Sequence, residues 1–197
     1  KTSGTSNLRL GVNAGNSIGS GGNFNVALGD EAGTALTTGD NNVAVGFEAL
    51  KTEDAHGFNT AVGYRALKAL DGGQDTFNTA FGANAGLSIS TGAFNAVFGG
   101  NAGAALTVGS TNVVVGVAAL ATDTKGSKSV AVGNGALNLQ NFTSATDTFN
   151  TAVGHQAGAA VTVGVKNTLI GASAGDAIRD ADFNVAIGVE ALTTNVL

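Results

Sequence analysis

The chain has 197 residues with 31 Gly and no Pro, Cys, Met or Trp, a charged fraction of 12% and a formal net charge of −5. Without cysteine there is no disulfide framework and no thiolate metal centre, and the scattered Lys and Arg form no basic patch of the kind that binds nucleic acid. No apolar run reaches the ~18 residues of a membrane span, so no membrane insertion is expected of this segment.

Residues 1–6 read as an N-terminal lead-in, and the opening Lys1 suggests a fragment of a longer fibre. From there to 197 the chain reads as a single repeat solenoid. The unit is Asn-x-small-apolar-Gly-x-x-Ala followed by Gly or Leu. It begins as NLRLGVNAG at Asn7, NVALGDEAG at Asn25, NVAVGFEAL at Asn42 and NTAVGYRAL at Asn59. NTAFGANAG at Asn78, NAVFGGNAG at Asn95 and NVVVGVAAL at Asn112 follow. SVAVGNGAL at Ser129 lacks the Asn, and NTAVGHQAG at Asn150, NTLIGASAG at Asn167 and NVAIGVEAL at Asn184 complete eleven copies.

The motif glycines recur with a base spacing of 17 residues, as from Gly29 to Gly46 and from Gly46 to Gly63. That is too short for a helical repeat or a propeller blade. It suits one coil of an all-β parallel β-solenoid, with two short strands and two turns. The endings run Gly, Gly, Leu, Leu, so four motifs form the unit of duplication, and DTFNTA recurs at Asp75 and Asp147.

The endings carry a packing expectation. Copies ending in Gly place an aliphatic seven residues after the motif glycine: Ile18, Leu36, Ile89, Leu106, Val161 and Ile178. Copies ending in Leu place a polar residue there: Glu53, Asp123, Gln140 and Asn195, with Leu70 the exception. Their Leu50, Leu120, Leu137 and Leu192 would supply the missing volume, because interiors need near-constant volume per layer.

Within each strand the residue before the glycine is large and the one before that is mostly Ala. Strand residues alternate between faces. The large residues are expected inside, leaving the row Ala27, Ala44, Ala61, Ala80, Ala131, Ala152 and Ala186 outside as an oligomer contact. The column Asn25, Asn42, Asn59, Asn78, Asn95, Asn112, Asn150, Asn167 and Asn184 is expected to form a structural amide ladder. Phe precedes the Asn in six copies (Phe24, Phe58, Phe77, Phe94, Phe149 and Phe183), either as a corner-packing stack or as a ligand-binding stripe. Extra residues fall near 19–23, 70–76 and 139–148; the last and longest, with Phe142, is the candidate lateral binding loop.

No catalytic, cofactor or metal residue is expected. His56 and His155 occupy different repeat positions, and no ligand spacing surrounds them. Asp71 with Asp75 and Asp180 with Asp182 fall in loops, where turn formation accounts for Asp and calcium binding is the lesser reading. The Gly-rich stretches follow the repeat and complete no phosphate loop.

The repeats resemble the head repeats of YadA-type trimeric autotransporter adhesins and, in strings such as NTAVGYRAL, the repeats of bacteriophage tail fibres. The resemblance implies a left-handed β-roll and a homotrimer of side-by-side solenoids. The expected function is a non-enzymatic structural or adhesive segment of an extracellular fibre. A tail or host-attachment fibre on a virion surface is the first reading, and an autotransporter head is the alternative. A cell-surface receptor or glycan is the expected outside partner. Two further readings are an ice-binding solenoid, which needs a regular Thr face, and a carbohydrate-degrading enzyme, which needs clustered carboxylates. The column eight residues after the glycine is too mixed for the first, and the acids are too dispersed for the second.

Overall fold

The computed structural model describes residues 4–193, so Asn195 and the chain ends lie outside the described residues. The chain is a parallel β-solenoid, and among the described residues there is no helix. Its strands are β1 (Leu8–Leu10), β2 (Val26–Leu28), β3 (Val43–Val45), β4 (Thr60–Val62), β5 (Thr79–Phe81), β6 (Ala96–Phe98) and β7 (Val113–Val115). They continue as β8 (Gly126–Ser127), β9 (Val130–Val132), β10 (Thr146–Asp147), β11 (Thr151–Val153), β12 (Thr168–Ile170) and β13 (Val185–Ile187).

All but β8 and β10 form one 11-stranded sheet in chain order. Pairing is parallel, and each strand lies in register on the equivalent residues of the next copy, as Ala44 on Ala61 and Ala61 on Ala80. At ~4.8 Å per strand the sheet is about 50 Å long. The stack already includes the lead-in: Gly4 donates to Gly19 O at 2.9 Å and Phe24 to Thr5 O at 3.1 Å.

Most coils hold one strand, not the two expected from the repeat length. The remainder of each coil cannot be extended, because it passes through left-handed backbone. In the fourth coil Phe58, Arg65 and Leu67 have φ of 62°, 56° and 48°, and Gly63 has 134°. Only the long insertion adds a second strand pair, with β10 lying parallel on β8.

The motif glycines stack directly on one another. A Cβ on Gly99 would lie 2.5 Å from the carbonyl oxygen of Gly116, and its φ of 136° is open essentially to Gly alone. The glycine four residues later has a different cause. A Cβ on Gly33 would lie 2.8 Å from Leu36 Cδ1, and one on Gly86 2.8 Å from Ile89 Cδ1. Glycine there makes room for the aliphatic three residues on, and where Leu replaces it, that Leu fills the space itself. Ile18, Leu36, Ile89 and Leu106 in one class of coil, and Leu50, Leu120 and Leu137 in the other, are all fully buried. Leu67 and Leu70 occupy one coil together and are both buried.

The strand phase is opposite to the sequence expectation. Ala27, Ala44, Ala61, Ala80, Ala131 and Ala152 are 0% exposed and Ala186 is 2% exposed, so the Ala row lines the core and is no oligomer contact. The large residues point outward instead: Phe81 is 56% exposed and Ile187 67%. Asn and the Ala two positions on must share a face. The Asn amide has to be inside to reach backbone there, and it takes the Ala inward with it. A flat coil has room for only one or two large side chains per level, as Leu67 with Leu70 or Leu50 with Glu53, so the other inward positions are small. The third residue after each motif glycine, such as Ala66, Ala85 and Ala102, is Ala for the same reason.

Candidate functional site

The interior column is a hydrogen-bonded ladder that runs from coil to coil except at Ser129. Each Asn Oδ1 accepts the backbone N–H of the next Asn, as Asn25 from Asn42 at 2.8 Å, Asn42 from Asn59 at 3.0 Å and Asn78 from Asn95 at 2.9 Å. Each Nδ2 donates to a glycine or loop carbonyl, as Asn25 to Gly39 at 2.7 Å and Asn78 to Gly92 at 2.8 Å. Asn112, Asn150, Asn167 and Asn184 continue it. The amides therefore act mainly on backbone. Amide-to-amide bonds join only some levels, such as Asn112 to Asn95 at 3.1 Å.

Ser129 interrupts this ladder, and a buried polar cluster fills the gap. Gln140 reaches in from the seventh position after its glycine. Its Nε2 donates to Asp123 Oδ2 at 2.6 Å and Ser129 Oγ at 3.0 Å, and its Oε1 accepts from Asn150 Nδ2 at 2.8 Å. Thr148 Oγ1 lies 2.6 Å from Ser129 Oγ. Gln140 thus supports the ladder from a buried polar seventh position, a role that spacing alone does not reveal.

Glu53 occupies the same position in its coil and is fully buried. His56 Nδ1 lies 3.0 Å from its Oε1, and the His56 backbone N–H also donates to it. Burial pushes the Glu53 carboxyl above its ordinary value, and His56 opposes that shift. Ligand atoms of Glu53, Asp54, His56 and Asp71 all lie within 4.8 Å of one another. Other loop acids bond the preceding coil: Asp75 accepts from Gly57 N–H at 2.8 Å and Asp182 from Val165 N–H at 2.8 Å, and Asp180 accepts from Thr162 Oγ1.

The long insertion does not present its aromatic ring. Phe142 is 7% exposed, so it is no exposed binding residue. Asp123 explains this: its Oδ1 accepts the Phe142 N–H at 3.1 Å and draws the start of the loop inward. The column eight residues after the glycine commits its hydroxyls to the next coil. Thr37 donates to Asp54 O at 3.0 Å, Thr107 to Thr124 O at 2.8 Å and Thr162 to Arg179 O at 3.3 Å.

The outer surface of the sheet is the chain's distinctive exterior. Its outward positions are Val43 and Val45, Thr60 and Val62, Thr79 and Phe81, Ala96 and Phe98, and their equivalents in other coils. The six Phe of the pre-Asn column are exposed beside it, and Phe58, Phe77 and Phe94 stack at centroid distances of 4.9 and 5.7 Å. Lys128 and Lys166 stand in the same column, their ammonium groups 5.1 and 4.7 Å from the rings of Phe149 and Phe183.

Away from the sheet, Glu48 collects three cations: Lys51 at 2.7 Å, Arg65 at 2.7 Å and Lys68 at 2.8 Å, while Lys51 also pairs with Glu31. The ammonium groups of Lys51 and Lys68, and then Arg65, hold the Glu48 carboxyl at about 2, below its ordinary 4.5, although burial acts the other way. A depressed carboxylate contributes stability that is complete above its unfolded value and is lost as pH falls through the folded value. Glu48→Gln is therefore expected to lower the urea midpoint at pH 7, and the gap from the parent should close between pH 4.5 and 2. A gap independent of pH would assign the loss to packing. No protein family, curated protein or solved structure matches the chain.

Proposed function

We propose that this chain is a non-enzymatic structural and adhesive segment of an extracellular fibre, such as a host-attachment fibre on a virion surface. The supporting observation is the in-register rod: eleven strands repeat the same outward columns at every level. Such a body is a stiff spacer that repeats whatever its surface does. The outward columns are apolar where a solvated sheet carries polar residues. That favours self-association of parallel copies, as the resemblance to trimeric fibre repeats also implies, but through the large residues of the sheet rather than the Ala row. A receptor or glycan on a cell surface is the partner of the assembled fibre. The autotransporter head remains the second reading, on the same resemblance.

The ice-binding alternative loses support because the hydroxyls of Thr37, Thr107 and Thr162 are spent on carbonyls of the next coil, and Thr fills only four of the eleven outward positions after the Asn column. The hydrolase alternative loses support because Asp30, Asp40, Asp75 and Asp182 are bonded to backbone of the preceding coil, and Glu53 in the acidic corner is buried against His56. Immunogold electron microscopy with antibody against this chain tests the proposal. Decoration of thin filaments projecting from virions or cells is expected. Label confined to the cytoplasm, thermal hysteresis by the purified chain, or release of reducing ends from polysaccharide would each overturn it.

A further inference from the structure

The turn before each ladder Asn does not need an aromatic residue. It is left-handed in every coil, with φ of 58° at Asn41, 62° at Phe58, 52° at Phe77, 59° at Phe94 and 58° at Thr111. Asn suits that conformation, and a bulky side chain is disfavoured there. Ser6, Asn41, Thr111, Lys128 and Lys166 make the same turn without a ring. Six Phe therefore stand at a corner where folding favours something smaller, and all are exposed, Phe183 to 70%. Burial inside the coil cannot be their reason.

The rings also say what kind of surface they fit. Neighbouring rings are nearly parallel, 12° for Phe58 with Phe77 and 8° for Phe77 with Phe94. Their faces are turned to one another along the rod, and their edges are left outward. Sugars pack on ring faces, which this stack covers. Edges pack against aliphatic and aromatic side chains. The column is continuous with the outward strand positions, and together these columns carry only two charges, Lys128 and Lys166. Both of those ammonium groups already lie over Phe rings.

On the far side of each strand, just after the motif glycine, runs a second exposed column. It carries Val12, Phe47, Tyr64, Val117 and Val189, with Asp30, Ala83, Gly100, Asn134, His155 and Ala172 at the other levels. Phe47 and Tyr64 stack at 5.7 Å and 14°. Eleven strands with three outward columns cover roughly 650 Å² at ~4.8 Å between strands and ~6.6 Å between columns. The face is apolar at 24 of its 33 positions, with Thr60, Thr79, Lys128 and Lys166 among the others, and apolar surface of that extent marks interaction sites. It approaches the ~800 Å² that each partner contributes to a standard interface.

We propose that the Phe column is the seam between two copies of this chain, docking against the Phe47/Tyr64 column of the neighbouring copy. The inference rests on the self-association proposed above and adds its chemistry and geometry. Both columns keep the repeat spacing, so parallel copies set Phe58 beside Tyr64 and Phe183 beside Val189, and the larger rings of Phe77 and Phe94 beside the small Ala83 and Gly100. The two edges of the face differ, so the contact is heterologous, and it closes by rotation about an axis along the rods.

The test is sedimentation equilibrium of the purified chain and of the triple variant F58N/F77N/F94N. Asn is native at the equivalent Asn41 and tolerates left-handed backbone, so the solenoid itself should survive, as read by circular dichroism and urea unfolding. The parent is expected to be an oligomer, and the variant's dissociation constant should rise by about 1,000-fold, from about tenfold for each of the three rings. The control Thr143→Asn, in the long insertion, should leave it unchanged. A monomeric parent overturns the seam, and so does a variant that assembles as tightly as the parent. A glycan array that loses signal with the Phe while assembly persists would assign the column to sugar and also overturn it. Any of these leaves the immunogold result untouched.

Discussion

Ala61→Glu is expected to unfold the middle of the solenoid, with loss of the β-sheet circular dichroism signal at 25 °C. Ala61 is fully buried and lies in register between Ala44 and Ala80. Glu there adds volume to a coil already holding Leu67 and Leu70, and overpacking alone costs about 1–3 kcal/mol. An unpaired carboxylate inside adds several kcal/mol more, at the scale of ~3–5 kcal/mol for an uncompensated buried charge. The sum is comparable to the ~5–15 kcal/mol total stability of ordinary domains. The outward neighbour supplies the contrast. Val62→Glu should keep the circular dichroism spectrum and the urea midpoint of the isolated chain while weakening self-association. If Ala61→Glu folded normally and only the assembly fell apart, the strand phase described here would be inverted.

Asn95→Ala is expected to cost about 2–5 kcal/mol, read as a lower urea midpoint at unchanged slope. Asn95 Oδ1 accepts the Asn112 N–H at 3.0 Å and Asn112 Nδ2 at 3.1 Å. Its Nδ2 donates to Gly109 O at 2.9 Å and Asn78 Oδ1 at 3.1 Å. Truncation strands a buried N–H and a buried carbonyl between two coils, and each orphaned group costs about 1–3 kcal/mol. The chain shows what such a gap requires, since Ser129 is accompanied by Gln140, Asp123 and Thr148 in one cluster. Around Asn95 there is no such substitute: Thr107 and Ser110 already donate to carbonyls or accept from backbone. Thr111→Ala, at the exposed turn beside it, should change the midpoint by less than ~0.5 kcal/mol. A loss below ~1 kcal/mol at Asn95 would mean that the coils close the gap by shifting.

The period, the fold class and the compensation between endings were legible from residues because they are statements about chain length and volume. A 17-residue spacing between Gly46 and Gly63 admits one coil and little else. Gly33 with Leu36, against Leu50 with Glu53, encodes two ways of filling the same small interior. The candidate site was less legible. Phe142 looked like an exposed loop aromatic, and Asp123, 19 residues away, draws it inside. Glu53, Asp54 and His56 are sequence neighbours, and Asp71 joins them at one corner only because successive coils stack. The polar seventh positions were visible only as absent aliphatics, whereas in the fold Gln140 completes the ladder.

The sequence by itself determined the repeat, the glycine stack and the ladder, because those depend on the same residue returning to the same place in each coil. It also determined that one face of each strand is small and the other large. It did not determine which face is inside. Alternation specifies two faces and labels neither, and hydrophobicity favoured the wrong one because both are apolar. The tertiary structure decided, through the Asn column. A buried amide must reach backbone inside the coil, the Ala two residues on follows it, and the large side chains are left for the surface.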